Sequence, residues 1–176
     1  FKLSNISVSD YLDSWIDSYC KMNLKYNTQL GYLYTIENNL KPSLGMYRLK
    51  ALTPSAIQEC VNALKLRGLS RASIVGIFST LSAALDYAIE PLKYIQYNPC
   101  NNVRIPKDTA PKKETRYIIT PEQFKQILER FPEGSNFYIP LMIGYYTGVR
   151  ISECFGLTWN DVDFDNQTIS ISKALL

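Results

Sequence analysis

The sequence predicts a mainly α-helical chain in two parts. A small all-α domain comes first, and a segment that opens helical and turns toward β follows. Three observations carry this prediction. Apolar residues recur with helical spacing in four stretches over about the first 90 residues. Residues 104–116 then break the apolar pattern with two prolines and mixed charge, as an extended connector does. Near the end, Ile169 and Ile171 alternate with Ser170 and Ser172, which is the period of a strand. The expected division is a helical domain at 1–103, a basic connector at 104–116 and a second domain at 117–176.

The first helix carries Val8, Tyr11, Leu12, Trp15, Ile16 and Tyr19 on one face. Ser7 and Asp10 stand at its start like an acidic capping box, where unpaired N–H groups need acceptors. A second helix is expected from Asn27 or Thr28 to about Leu40, ended by Pro42 and Gly45. Thr53 as N-cap and Pro54 at the first helical position open a third, which Gly68 stops. The fourth opens at Ser70, carries Ile74, Ile77, Phe78, Leu81, Leu85 and Ala88, and is expected to end near Pro91. After the connector, Thr120, Pro121 and Gln123 repeat the cap pattern ahead of Phe124, Ile127, Leu128 and Phe131. An apolar helix over Asn136 to Tyr146 follows, then a short helix over Ile151–Phe155 and a turn at Asp165-Asn166-Gln167.

Composition narrows the chemistry. The chain has no histidine, so His triads, His-ligated zinc and His general bases are excluded. Cys20, Cys60, Cys100 and Cys154 form no CxxC pair, which fits reduced thiols in a cytosolic protein. No metal site is expected. The longest apolar run, Phe137 to Tyr146, spans ten residues and contains a proline, against the ~20 a spanning helix needs. The first residue is Phe1 and no signal-peptide pattern follows, so the start reads as a cut inside a longer protein. The net charge of +3 is uneven: 1–103 carry +3, 104–116 carry +3 and 117–176 carry −3. A basic front and connector suit a polyanion such as DNA, because Lys and Arg displace counterions from phosphates. A solvated surface of mixed charge is the plainer reading of the same numbers.

The box Thr147-Gly148-Val149-Arg150-Ile151-Ser152-Glu153 is followed by Gly156-Leu157-Thr158-Trp159-Asn160-Asp161-Val162-Asp163. In combination the two closely resemble the first catalytic box of the tyrosine recombinases, the phage-integrase superfamily. Ile119-Thr120-Pro121-Glu122-Gln123, Lys25-Tyr26-Asn27-Thr28 and Leu44-Gly45 are also similar to that family, so the resemblance covers about residues 7–173. It is nearest in flavour to integrases of conjugative transposons and temperate phages of low-GC Gram-positive bacteria. The resemblance implies a four-helix SAM-like core-binding domain, then the N-terminal part of a mixed α/β catalytic domain.

The implied activity is site-specific DNA recombination and integration. A tyrosine hydroxyl attacks a phosphodiester, leaving a 3′-phosphotyrosyl link and a free 5′-hydroxyl. An arginine serves that chemistry because its planar fork bonds two non-bridging oxygens and keeps its proton. The resemblance makes Arg150 the first active-site arginine and Glu153 the acidic residue that helps hold the site together. Thr28, Arg71 and Ser73, near predicted helix N-termini, and Lys107, Lys112, Lys113 and Arg116 in the connector are the candidate DNA contacts. Thr28, Arg71 and Ser73 equally suit capping or solvated roles. The catalytic lysine, the HxxR box and the nucleophilic tyrosine are expected after Leu176, with Lys173 slightly ahead of the lysine position, so this stretch alone is expected to bind DNA without cutting it. The implied partners are double-stranded DNA, further copies in a DNA-bound tetramer and a directionality factor, with no membrane. No metal or nucleotide cofactor is implied, since the phosphotyrosyl bond conserves the phosphodiester's energy. The alternative is a non-catalytic, integrase-like DNA-binding regulator. A helical protein-interaction module is the third reading.

Overall fold

The structure, a computed structural model, describes residues 5–108 and 117–175. The chain divides into two compact units, Phe1–Lys112 and Lys113–Leu176.

The first unit is built from four helical rods. The first comprises α1 (Val8–Trp15), a π-helical turn (Ile16–Cys20) and α2 (Lys21–Asn23). The second comprises α3 (Tyr26–Thr35), another π-helical turn (Ile36–Leu40) and α4 (Lys41–Leu44). The third and fourth are α5 (Pro54–Leu66) and α6 (Arg71–Ile89). Local chemistry sets most of the starts. The Ser7, Thr53 and Ser70 hydroxyls accept from the backbone N–H groups of Asp10, Ala56 and Ser73, each three residues on.

The second rod departs from expectation at both ends. It starts at Tyr26, with Lys25 as N-cap, so Thr28 is its third residue. It also runs through Pro42. The Lys41 N–H bonds to the Ile36 carbonyl, five residues back, and this wider turn sits directly ahead of the proline. In regular α geometry the ring would clash with the carbonyl four residues earlier.

Trp15, Tyr11, Leu12, Ile36, Leu40, Ile57, Ile74, Leu81 and Leu85 form the centre of the first unit's core. Trp15 stacks against Tyr19 and Tyr32, at centroid distances of 6.0 and 5.5 Å. The Tyr11 hydroxyl donates to the Ala84 carbonyl, which ties the first rod to the last. α6, 19 residues long, contains an 18-residue stretch with a mean hydropathy of 1.5, enough in length and composition for a membrane span. Here its apolar face, from Ile74 through Ala88, is the middle of the core. Past α6, Asn98 is buried; its side-chain Nδ2 donates to the Asp86 carboxylate at 2.7 Å, and its side-chain Oδ1 accepts from the Cys100 N–H. All four cysteines are free and buried, and burial pushes the Cys20 thiol up to about 11 and Cys100 to about 12.

The second unit contains α7 (Pro121–Arg130), α8 (Tyr138–Thr147), α9 (Ile151–Gly156), β1 (Val162–Asp163) and β2 (Thr168–Ile169). The capping box at Thr120 and Gln123 forms with both of its hydrogen bonds. α8 begins two residues later than expected, which puts Pro140 in the first turn, where its missing N–H is no loss. The strands pair antiparallel in the register Val162 with Ile169 and Asp163 with Thr168. β2 ends at Ile169, short of the expected run to Ser172, although the Ser170 N–H still donates to the Asp161 carbonyl at 2.8 Å.

Candidate active site

Arg150 stands between two helices, and the backbone dictates why. α8 ends on Gly148 in the left-handed conformation, φ 70°, which a side chain would strain. The chain then turns through extended Arg150, the N-cap of α9, at φ −69° and ψ 150°. Thr147 supports the turn: its hydroxyl donates to the Ile143 carbonyl and accepts from the Val149 N–H.

Glu153 reaches back to Arg150 twice. One carboxylate oxygen accepts the Arg150 backbone N–H at 2.8 Å, and the other accepts the guanidinium at 3.0 Å. These bonds hold the Glu153 carboxyl below the usual carboxylate range, the backbone bond contributing most. The pair is lopsided, with 84% of the Arg150 side chain exposed against 23% for Glu153. Glu153 therefore occupies one edge of the fork and leaves the rest of the guanidinium open to an incoming anion.

Beyond α9 a second cluster forms. One Asp161 carboxylate oxygen accepts from the Thr158 N–H and hydroxyl, each at 2.7 Å, and from the Lys173 ammonium at 2.8 Å. These donors hold the Asp161 carboxyl at about 2, the Lys173 bond contributing most. The Lys173 ammonium is paired within this cluster, while 46% of its side chain remains in solvent. Its neighbours are fixed too: the Leu175 N–H donates to the Ser152 carbonyl at 2.8 Å, and a Cβ on Gly156 would meet the Lys173 carbonyl at 3.2 Å. Sequence reasoning did not assign Asp161 or Thr158 a role. The signal was the three-residue spacing of Thr158 and Asp161, the same spacing as Thr120 and Gln123.

Of the expected DNA contacts, Thr28, Arg71 and Ser73 lie in the first unit and are exposed. Arg71 is the first residue of α6, and the Ser73 hydroxyl pairs with that of Ser70 at 3.0 Å. Lys107 is exposed. Lys112, Lys113 and Arg116, and with them most of the expected connector, lie outside the described residues.

Residues 7–65 match the family described as phage integrase, N-terminal SAM-like domain. Residues 118–175 match the phage integrase family. The chain belongs to the phage integrases, the tyrosine recombinase family. Relatives include a XerC-like tyrosine recombinase of Caldanaerobacter subterraneus, 24% identical over 97% of this chain and 44% of its own length. The ICEBs1 integrase of Bacillus subtilis is 28% identical over 95% of this chain and 43% of its own. Among solved structures, the Tn1549 transposon integrase in complex with circular intermediate DNA is 30% identical, with a TM-score of 0.70 over 97% of this chain and 55% of that one. The chain thus spans somewhat less than half the length of these curated tyrosine recombinase relatives. The helical SAM-like domain followed by the start of the catalytic domain is the family architecture expected from the sequence.

Proposed function

We propose that this chain is the DNA-binding domain and the start of the catalytic domain of a site-specific DNA recombinase of a mobile element. In the whole protein a tyrosine hydroxyl displaces the 5′-oxygen from a phosphodiester. The products are a 3′-phosphotyrosyl link and a free 5′-hydroxyl, whose later attack rejoins the strand. Arg150 bonds the non-bridging oxygens on which charge accumulates, and Glu153 fixes the orientation of its fork. Thr28, Arg71, Ser73, Lys107, Lys112, Lys113 and Arg116 take phosphates of the duplex. The reaction is completed by copies of the protein assembled as a tetramer on the DNA, with a directionality factor biasing it, in the cytoplasm at the nucleoid. Alone, the 176 residues bind DNA and do not cut it.

The observation that carries this reading is the open guanidinium of Arg150, held by Glu153 at the start of α9. The test is denaturing electrophoresis of the whole protein with labelled DNA carrying its recombination site. A protein-linked DNA band is expected from the whole protein and none from the 176-residue chain. No linked band from the whole protein contradicts the reading.

A further inference from the structure

Residues 104–108 open the stretch that composition marks as connector, yet they lie along α5. The Gln58 side-chain amide pairs with both backbone groups of Arg104: its Nε2 donates to the Arg104 carbonyl at 2.9 Å, and its Oε1 accepts the Arg104 N–H at 2.8 Å. The same Nε2 also donates to the Asn62 side chain at 3.1 Å, which fixes the amide. Further along α5, Lys65 meets Asp108 at 2.5 Å, and between these fastenings Ile105 packs on the core. Gln58 and Lys65 are about two turns apart, roughly 10 Å along the helix, a span that the chain from Arg104 to Asp108 covers when extended. The segment therefore runs alongside α5 toward its end, where the turn at Gly68 leads into Arg71 and Ser73. Lys107, exposed, is carried toward the end of α5 that leads to Arg71 and Ser73, and Arg104, also exposed, is held about two turns back along the same helix.

We propose that Gln58 is a positioning residue: it docks the start of the connector on α5 and so presents Arg104 and Lys107, together with Arg71 and Ser73, as one preformed patch for the phosphates of duplex DNA. The proposal rests on the DNA-binding reading above. Docking spends the ordering cost of these two cations during folding rather than during binding. Gln58 carries no charge and touches no phosphate in this arrangement. Its loss therefore weakens binding equally at every salt concentration, whereas loss of Arg104 removes a phosphate contact and lowers the salt slope by about one.

The test combines amide hydrogen exchange with titration of the 176-residue chain against a fluorescent mixed-sequence duplex at two salt concentrations. Gln58→Ala is expected to free the Arg104 amide to exchange, leave the α5 and α6 core amides protected, and weaken binding about three- to tenfold with an unchanged slope. Asp108→Ala, an exposed change that cannot unfold the core, adds a net positive charge. It is expected to weaken binding all the same, where a purely electrostatic account has it tighten. A fast-exchanging Arg104 amide in the unaltered chain overturns the docking. So does a Gln58→Ala chain that frees this amide without losing affinity, or an Asp108→Ala chain that binds more tightly. An unaltered chain that binds no duplex while its Arg104 amide stays protected overturns the DNA reading instead.

Discussion

Glu153 meets Arg150 at both its backbone and its guanidinium, and the two contacts do different work. The bond to the backbone N–H caps α9, while the bond to the side chain aims the fork. With most of Arg150 in solvent, the ion pair adds little to stability, so its value lies in orientation. Asp161 is the converse: three donors converge on one oxygen to pin the chain around Lys173. Its folded pKa of about 2 lies below the ordinary 3.8. The cluster's contribution to stability is therefore present above the ordinary value and is lost as pH falls through about 2. The Asp161 carboxyl carbon, followed by NMR, is expected to titrate near pH 2, and to titrate higher in Lys173→Met. A midpoint near 3.8 in the unaltered chain contradicts the cluster.

At the scale of elements, stability is concentrated in the first unit. Among the described residues of the second, only Phe124 and Cys154 are buried apolar side chains, whereas α6 alone buries seven residues. Leu85→Ala, at a fully buried position of α6, is expected to cost about 2–5 kcal/mol in denaturant unfolding. A loss below about 1 kcal/mol contradicts the central place of α6. The elements that the sequence announces are those whose cause is local. Ser7, Thr53, Ser70 and Thr120 each satisfy an N–H three residues away, although the acidic capping box read at Ser7 and Asp10 forms only in that half, because the Asp10 carboxylate accepts the Ser7 hydroxyl instead of its backbone N–H. The departures have distant or backbone causes. A π-helical turn carries the second rod through Pro42, which sequence rules read as a stop. The pairing of Gln58 with Arg104 joins residues 46 apart, and nothing in the spacing of either marks it. The Ile169–Ile171 alternation overstates β2 because a ladder needs a partner strand, and ahead of β1 the chain is already in the helical turn Trp159–Asp161, whose Asp161 carbonyl takes the Ser170 N–H and ends the pairing.

For the whole molecule, the family was legible because its signature is a run of adjacent residues from Thr147 to Asp163. The commitment of Lys173 to Asp161 was not, because it joins residues brought together only by the fold. In the proposed reaction Arg150 acts on charge that develops during cleavage, so its worth falls mainly in the transition state rather than in ground-state binding. The measurement is formation of the phosphotyrosyl adduct by the whole protein carrying Arg150→Ala, with DNA affinity and thermal unfolding recorded on the same protein. Adduct formation is expected to fall about 10²–10³-fold with affinity and unfolding nearly unchanged, and Arg150→Lys is expected to be poor as well, since one ammonium cannot reproduce the two-pronged contact. A well-folded Arg150→Ala protein that forms the adduct at a near-normal rate contradicts the account.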